Sequence, residues 1–336
     1  MTDDVAPAPG TSERPALKWV RRLAPWVISG SVVTAILVKY PVGRIFDEMQ
    51  RGNALGMVPV ALGTTLLIWF TATTGDYVLL GRMASRPVGY RFLLRSKAGM
   101  SMLNALGMAL NYGGFALWIH RVLGCGWRRS GGAVLMITLG DLTAVSFIAT
   151  AAVFVGGDGL PAQTRAQLEV IAPIVAVVAA LFLFVPRPSA TRRAVFEPWA
   201  RVPRVNRLAS VVSRGGTIAF LILATWLAAR AFGLPVPFKA WASFLPVLLV
   251  IGALPVNVGG LGPVQAAWLL LFGPWATGPQ ILAFQFLWHL CLVVGLFLRG
   301  APFIRSVIAD IAKGQGVLGG QAGAPATSAT PSTSTT

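Results

Sequence analysis

Long apolar segments recur along the whole chain and constrain its fold more than any other feature. Most are close to the roughly 20 residues that an α-helix needs to cross a bilayer. Eight can be recognised by their length, at about 25–40, 54–80, 92–119, 131–155, 168–185, 208–232, 238–272 and 279–298. With a mean hydropathy of +0.70 and only 12% charged residues, the sequence predicts an all-α polytopic membrane protein and excludes an ordinary soluble domain.

The basic residues lie mainly in the gaps between these segments. They number 28 against 11 acidic residues, giving a net charge of +17. Basic loops act as topology signals and contact anionic head groups. We therefore expect membrane lipids, anionic ones in particular, as partners, and no nucleic acid. Two cysteines and two histidines predict neither a disulfide framework nor a metal site, no cofactor is expected, and the oligomeric state is left open.

Two of the apolar segments contain residues that interrupt a helix. The segment 238–272 is too long for one span and includes Leu-Pro-Val-Asn-Val-Gly-Gly-Leu-Gly-Pro-Val-Gln at 254–265. The segment 92–119 contains Asn104, Gly107 and the stretch Asn-Tyr-Gly-Gly at 111–114. A break in a helix is stable inside the bilayer only where other parts of the protein bury it or where it lines a polar cavity. We predict a re-entrant hairpin for each segment, with the first one turning at 111–114.

The distribution of charge supports this topology. If all eight segments crossed once, the arginine-rich stretch after the fifth would be external, against the positive-inside rule. With both hairpins re-entrant, 22 of the Lys and Arg residues become cytoplasmic and 6 external. This predicts six full spans and both termini in the cytoplasm.

The two interrupted segments also share a motif. Asn-x-Gly-Gly occurs at 111–114 and again 146 residues later at 257–260, and the same shift superimposes the flanking segments. We predict a membrane domain at 19–313 made of two inverted repeats, about 25–155 and 168–300, whose broken segments meet near the membrane midplane as in secondary transporters. The ends 1–18 and 314–336 are expected to be disordered tails.

The stretch 254–265 resembles the C-terminal signature of the lysylphosphatidylglycerol synthase transmembrane region family, and the likeness extends over about residues 20–310. The residues that carry it are Pro255, Gly259, Gly260, Leu261 and Gly262. The resemblance implies a flippase-like membrane protein, in the form that stands alone without an aminoacyl-transferring domain. Where the family has a glutamate this chain has Gln265, and its first half lacks the family's Gly-Glu followed by Arg.

The polar residues within the apolar segments, together with the glycines of the interrupted stretches, are the candidates for a substrate site. They are Asn111, Gly113, Gly114, Asp141, Asn257, Gly259, Gly260, Gly262, Gln265 and His289. Asp141 and His289 occupy nearly matching positions of the two halves and are interpreted either as a proton-sensitive pair or as a structural helix contact. Asp76, one and a half turns before Arg82, is expected to form a structural pair or cap a helix end rather than belong to a site. Arg82 and Arg121 are expected to recruit head groups, and no residue is assigned a catalytic role.

These observations predict a protein that binds or translocates an amphiphilic lipid, either a phospholipid or a polyprenyl-linked lipid. Two alternatives stay open. One is a membrane-embedded transferase, or an accessory subunit of one, acting on lipid-linked substrates, so that enzymatic activity is neither assigned nor excluded. The other is a secondary transporter of small solutes.

Overall fold

The computed structural model describes residues 15–84, 88–105, 107–156, 162–185, 195–253 and 262–314. Within these ranges the chain is helical and has no strand. The elements are α1 (Pro15–Lys39), α2 (Val42–Arg51), α3 (Ala54–Met83), α4 (Tyr90–Met100), the 3-10 helix η1 (Ser101–Ala105), α5 (Met108–Val122), α6 (Trp127–Gly156), α7 (Ala162–Phe184), α8 (Glu197–Arg201), α9 (Arg204–Phe232), α10 (Phe238–Ala253), α11 (Pro263–Phe272) and α12 (Gly278–Lys313). The prediction of an all-α membrane protein is confirmed.

Five helices are long and apolar enough to cross a membrane. They are α3, α6, α7, α9 and α12, and a sixth span results if α1 and α2 are counted together. The α1–α2 pair bends by 74° next to Pro41, whose missing N–H and fixed φ disfavour a continuous helix. The chain is therefore a membrane-embedded multi-pass protein with five to six candidate spans, close to the six that were predicted.

The long helices α3 and α9 form the scaffold and run antiparallel. The side-chain amide of Asn206 donates to the carbonyl of Val78 at 3.4 Å, and the hydroxyl of Ser213 donates to the carbonyl of Thr71 at 3.1 Å. Gly75 lets the two backbones approach, since a Cβ there would lie 3.7 Å from the carbonyl oxygen of Ser210. Small residues at such a contact are typical of packed membrane helices.

The first interrupted segment forms two short helices, α4 and α5, joined through η1. We call α4, η1 and α5 the first hairpin. Both of its ends lie beside the end of α12: Arg95 pairs with Asp310 at 2.8 Å, and a Cβ on Gly314 would lie 3.5 Å from the carbonyl oxygen of Arg121. The η1 turn lies deeper, where the hydroxyl of Ser101 accepts from Arg299 at 3.2 Å. The first hairpin thus enters and leaves at one end of α12.

The turn of this hairpin does not lie at 111–114, so that prediction was wrong. Those residues are helical within α5, and the interruption falls between Ala105 and Met108. Gly107 there has φ of 144° and ψ of 149°, which residues with a Cβ rarely adopt. The glycine that permits the turn is thus an isolated one, and the Gly-Gly pair continues the helix.

The second interrupted segment forms α10 and α11, which we call the second hairpin. Its ends lie beside the start of α12, because the Trp241 ring packs against Phe272 at 4.7 Å and against Phe284 at 5.7 Å between centroids. The start and end of α12 are separated by about 54 Å at 1.5 Å per residue. The two hairpins therefore open at opposite ends of the molecule. Whether the two halves are related as inverted repeats stays a prediction.

Candidate functional site

Four charged side chains from four helices meet inside the helix assembly, and we call this group the ion network. The guanidinium of Arg214 in α9 donates to the carboxylates of Asp76 in α3 and Asp141 in α6. The ammonium of Lys97 in α4 donates to the second oxygen of Asp76. Two acidic and two basic groups give a formally neutral cluster, which is the arrangement that low-polarity surroundings require.

Glycines make room for the central arginine. Each aspartate follows a glycine. A Cβ on Gly75 would lie 3.7 Å from Cγ of Arg214, and a Cβ on Gly140 would lie 3.4 Å from its Cδ. Ser210, one turn earlier in α9, accepts from Nε of Arg214 at 3.2 Å. The Gly-Asp pairs of α3 and α6 therefore serve both as charge partners and as the space that the arginine side chain fills.

The members of the ion network differ in accessibility. The side chain of Asp76 is fully buried and that of Arg214 is 5% exposed, whereas 42% of the Asp141 side chain is accessible. Asp141 is therefore the most accessible carboxylate of the ion network. Tyr112 of the Asn-x-Gly-Gly motif is half-buried in α5, which packs against the helix that carries Asp141.

A second charged group lies at the tip of the first hairpin. Arg299 in α12 donates to the carbonyl of Thr65 and to the hydroxyl of Ser101. No carboxylate of the described residues pairs with it. Arg299 lies about 31 Å from the start of α12 and about 21 Å from its end. Arg299 is thus a half-buried cation whose partners, as far as the structure describes them, are neutral oxygens.

Small residues let the first hairpin approach Arg299. A Cβ on Gly300 would collide with Met102 and lie 2.8 Å from the carbonyl oxygen of Ala98, and one on Gly295 would lie 2.6 Å from the hydroxyl of Thr65. The glycines on either side of Arg299 thus bring α12 against α3 and the first hairpin. Larger side chains at either position would move the guanidinium away from its present oxygens.

The second-half motif lies mostly outside the described residues, including Asn257, Gly259 and Gly260. Gly262 has φ of 124° and ψ of −133°, and a Cβ there would lie 2.5 Å from the hydroxyl of Ser29 in α1. The side-chain oxygen of Gln265 accepts from the backbone N–H of Gly262 at 2.5 Å and so caps the start of α11. An amide oxygen accepts this bond as a carboxylate would, which gives Gln265 a structural role.

The remaining predicted residues are distributed as follows. Asn111, Gly113 and Gly114 lie in the first two turns of α5, on the helix that carries Tyr112. His289 is half-buried in α12, and its pairing with Asp141 stays a prediction. Arg82 and Arg121 are exposed at the ends of α3 and α5. Asp76 forms the structural pairing that was expected, with Arg214 and Lys97 as its partners.

Three basic residues of the site were missed from the sequence. Arg214 and Arg299 were counted among the loop charges, and Lys97 among those preceding the first hairpin. The structure places Arg214 about 15 Å into α9 and Arg299 in the middle of α12. A usable signal was present, because an arginine within an apolar run needs a partner and the Gly-Asp pairs offered one for Arg214. Nothing comparable pointed to a partner for Arg299.

The chemistry available to this site is that of charge recognition and hydrogen bonding. Among the described residues no group of three or more His, Cys, Asp or Glu side chains could hold a metal ion. The groups that a bound molecule could meet are an accessible carboxylate, a tyrosine and a guanidinium without an acidic partner of its own in the part of the chain that is described.

Comparison with known proteins agrees with the architecture. Comparison with curated proteins gives no match. The family model for the lysylphosphatidylglycerol synthase TM region matches residues 23–300, which include the interrupted segments, the ion network and Arg299. The chain belongs to the lysylphosphatidylglycerol synthase TM region family.

Proposed function

We propose that the protein binds an amphiphilic lipid with an anionic head group, a phospholipid or a polyprenyl-linked lipid, and moves it between the two leaflets. The observation that carries the proposal is Arg299. Arg299 is half-buried against α3 and the first hairpin, and the two oxygens that it contacts are uncharged. A phosphate head group would supply the missing charge.

Arginine is well suited to this role. Its planar guanidinium can form paired hydrogen bonds with phosphate oxygens. Since Nε and one Nη of Arg299 already donate to Ser101 and Thr65, the side chain is held in place before a ligand arrives. Such preorganisation lowers the entropic cost of binding.

Two further features support the proposal. Arg82 and Arg121 are exposed where the first hairpin opens, and basic residues at a membrane surface attract anionic lipids by about 1 kcal/mol each. The hairpins open at opposite ends, so a polar path between their tips would face one leaflet through each. The head group would follow this path while the hydrocarbon chains stay in the bilayer.

We also propose that the protein resides in a bacterial inner membrane with both termini in the cytoplasm. Without Lys97, Arg214 and Arg299, which belong to the site inside the helix assembly, the predicted topology still places 19 basic residues on the cytoplasmic side and 6 outside. The positive-inside rule favours this orientation. Labelling of single cysteines introduced at Gly124 and Thr277 from each side tests it, with Gly124 expected in the cytoplasm.

Translocation is tested with purified protein in liposomes that contain head-group-labelled phosphatidylglycerol. A reductant that cannot cross the bilayer destroys only the label in the outer leaflet. Further loss of signal therefore measures lipid that moves from the inner to the outer leaflet. We expect the wild type to move the anionic lipid. We expect Arg299→Gln to slow movement between about ten- and a hundredfold, the effect of losing a hydrogen bond to a charged group.

Arg305→Gln is the matched control, because Arg305 lies on the same helix and is exposed. We expect this variant to move the lipid at the wild-type rate. If the wild type moves no anionic lipid, phospholipid or polyprenyl-linked, the proposed function is wrong. If both arginine variants lose activity equally, the specific role of Arg299 is wrong.

A further inference from the structure

A pocket opens at the surface where the start of α6 meets α8, separate from the ion network. Its volume is about 330 Å³, and it is lined by Gly126, Trp127, Arg128, Arg129 and Glu197. Trp127 begins α6, and Asp141 of the ion network lies about 21 Å further along that helix. The volume equals that of about eleven water molecules, which leaves room for a phosphate group and the atoms joined to it.

Close packing of α8 against α6 builds this pocket. A Cβ on Gly132, near the start of α6, would collide with the carbonyl oxygen of Val195, so this glycine lets the chain before α8 reach α6. The buried Trp199 of α8 donates from its indole N–H to the carbonyl of Phe182 at 3.1 Å. The buried Arg207 of α9 donates to the carbonyl of Trp199 at 3.3 Å. The position of α8 is therefore set by the fold, and the pocket needs no ligand to form.

One wall of the pocket is an exposed indole that its neighbours hold in place. Trp127 is 55% exposed, yet its ring stacks on that of His120, with 4.7 Å between the centroids and 23° between the planes. The Nδ1 of His120 in turn donates to the carbonyl of Cys125 at 2.7 Å. Tryptophan at the end of a membrane span favours the interface between hydrocarbon and water, and α6 is a candidate span. The pocket therefore lies at the level of the lipid head groups.

The charges around the pocket favour an anion. Arg129 pairs with one carboxylate oxygen of Glu197 at 2.6 Å, and Arg201 pairs with the other at 2.8 Å. Both oxygens of Glu197 are thus engaged. Arg128 is exposed, and no carboxylate in the described part of the chain forms a salt bridge with it. Three arginines around one glutamate leave positive charge in excess.

Phosphate is the anion that this arrangement suits. A guanidinium offers paired hydrogen-bond donors to phosphate oxygens, and basic side chains at a membrane surface attract anionic lipids. We propose that this pocket binds the phosphate of an anionic phospholipid in the surrounding leaflet, with Arg128 as the contacting cation and Trp127 beside the glycerol region of the lipid. In the topology proposed above this leaflet is the cytoplasmic one. Such binding needs no movement of the lipid, so this site is separate from the proposed translocation.

The test uses the full chain in vesicles of phosphatidylcholine that contain a small fraction of a photoreactive phosphatidylglycerol. The photoreactive group lies at the start of one acyl chain, and cross-linked peptides are identified by mass spectrometry. Arg128→Gln removes the proposed cation. Arg91→Gln is the matched control, because Arg91 is exposed on α4, pairs with no described carboxylate and lies on the same predicted side of the membrane.

We expect the wild type and Arg91→Gln to cross-link at residues 126–129 and 195–201, and unlabelled phosphatidylglycerol to compete. In Arg128→Gln this cross-link should fall about fivefold, the loss expected for one basic residue at an anionic membrane surface. Trp127→Leu keeps the charges and should cause a smaller decrease. Inorganic phosphate at the concentration of the competing lipid should leave the cross-link unchanged.

Three results would overturn the inference. Equal cross-linking in Arg128→Gln and Arg91→Gln would show that the pocket cation does not bind the lipid. A phosphatidylcholine with the same photoreactive group that cross-links as strongly would mean boundary lipid only. Displacement by inorganic phosphate as effective as that by phosphatidylglycerol would assign the pocket to a soluble anion. If the wild type moves no anionic lipid but the cross-link behaves as expected, the proposed function fails and this binding site stands.

Discussion

Replacing Arg214 by methionine removes the centre of the ion network while keeping a similar side-chain length. Asp76 would then be a fully buried carboxylate with Lys97 as its remaining described partner, and Asp141 would lose the partner that the structure describes for it. We expect the variant to be clearly less stable than the wild type, because removing one member of a buried ion pair leaves a charge that the interior cannot solvate.

The magnitude depends on which carboxylate is more deeply buried. Breaking a buried pair costs about 3 to 5 kcal/mol, and the retained bond from Lys97 places the Asp76 contact near the lower limit. The Asp141 side chain is 42% accessible, so we expect its contact with Arg214 to contribute less than the contact of the fully buried Asp76. We therefore expect a loss of about 3 to 4 kcal/mol, equivalent to a decrease in Tm on the order of 10 °C.

Thermal unfolding in detergent, followed by a thiol-independent fluorescence signal, measures this difference. The double variant Arg214→Met with Asp76→Asn should recover more than half of the loss, because the buried charge is removed together with its partner. Arg214→Met with Asp141→Asn should recover little. Arg230→Met, an exposed position on the same helix, should unfold close to the wild type.

Two outcomes would refute this reasoning. If Arg214→Met has the same Tm as Arg230→Met, the ion network does not stabilise the fold. If Asp141→Asn restores stability as well as Asp76→Asn does, accessibility does not decide which contact matters.

Three further predictions follow from single positions. Gly262→Ala should destabilise the protein by about 1 to 3 kcal/mol, since the φ of 124° at Gly262 and the nearby Ser29 disfavour a side chain. Gly43→Ala, where a Cβ would meet open space on α2, should leave the stability unchanged in the same unfolding assay. Gly140→Leu should destabilise by about 1 to 3 kcal/mol by displacing the network arginine, whereas alanine there should be tolerated. Burial raises the pKa of the Cys125 thiol. Its labelling by maleimide should therefore be slow at neutral pH and accelerate only as the pH rises above the usual pKa of a cysteine. Fast labelling at pH 7 would contradict the burial.

The overall class of the fold was predictable because its cause is visible in the sequence. Apolar runs of bilayer length require helices, and the two runs broken by glycine, asparagine and proline became the pairs α4–α5 and α10–α11. The position of the first turn was not predictable from residue type. Gly107 and the pair at 113–114 are chemically equivalent as helix breakers, and packing of the first hairpin against α12 selects the single glycine.

The candidate site was only partly predictable for a different reason. Asp141 could be found because a carboxylate in an apolar segment is unusual, but its partner Arg214 lies 73 residues away on a helix whose position follows from tertiary packing. Arg299 ended an apolar run and so looked like a loop residue. Charge counting assigns residues to sides of a membrane, and it cannot recognise a cation that a helix carries into the interior.

The close approach of Gly314 to the carbonyl of Arg121 has a practical consequence for fusion proteins. Gly314, which follows the end of α12, lies so close to the final turn of α5 that a Cβ on it would be 3.5 Å from the carbonyl oxygen of Arg121. A fluorescent protein or a purification tag joined directly after Gly314 would therefore start at the mouth of the first hairpin. A long flexible spacer would be needed to keep that mouth open. A tag placed before α1 would start from a helix that packs mainly against α11.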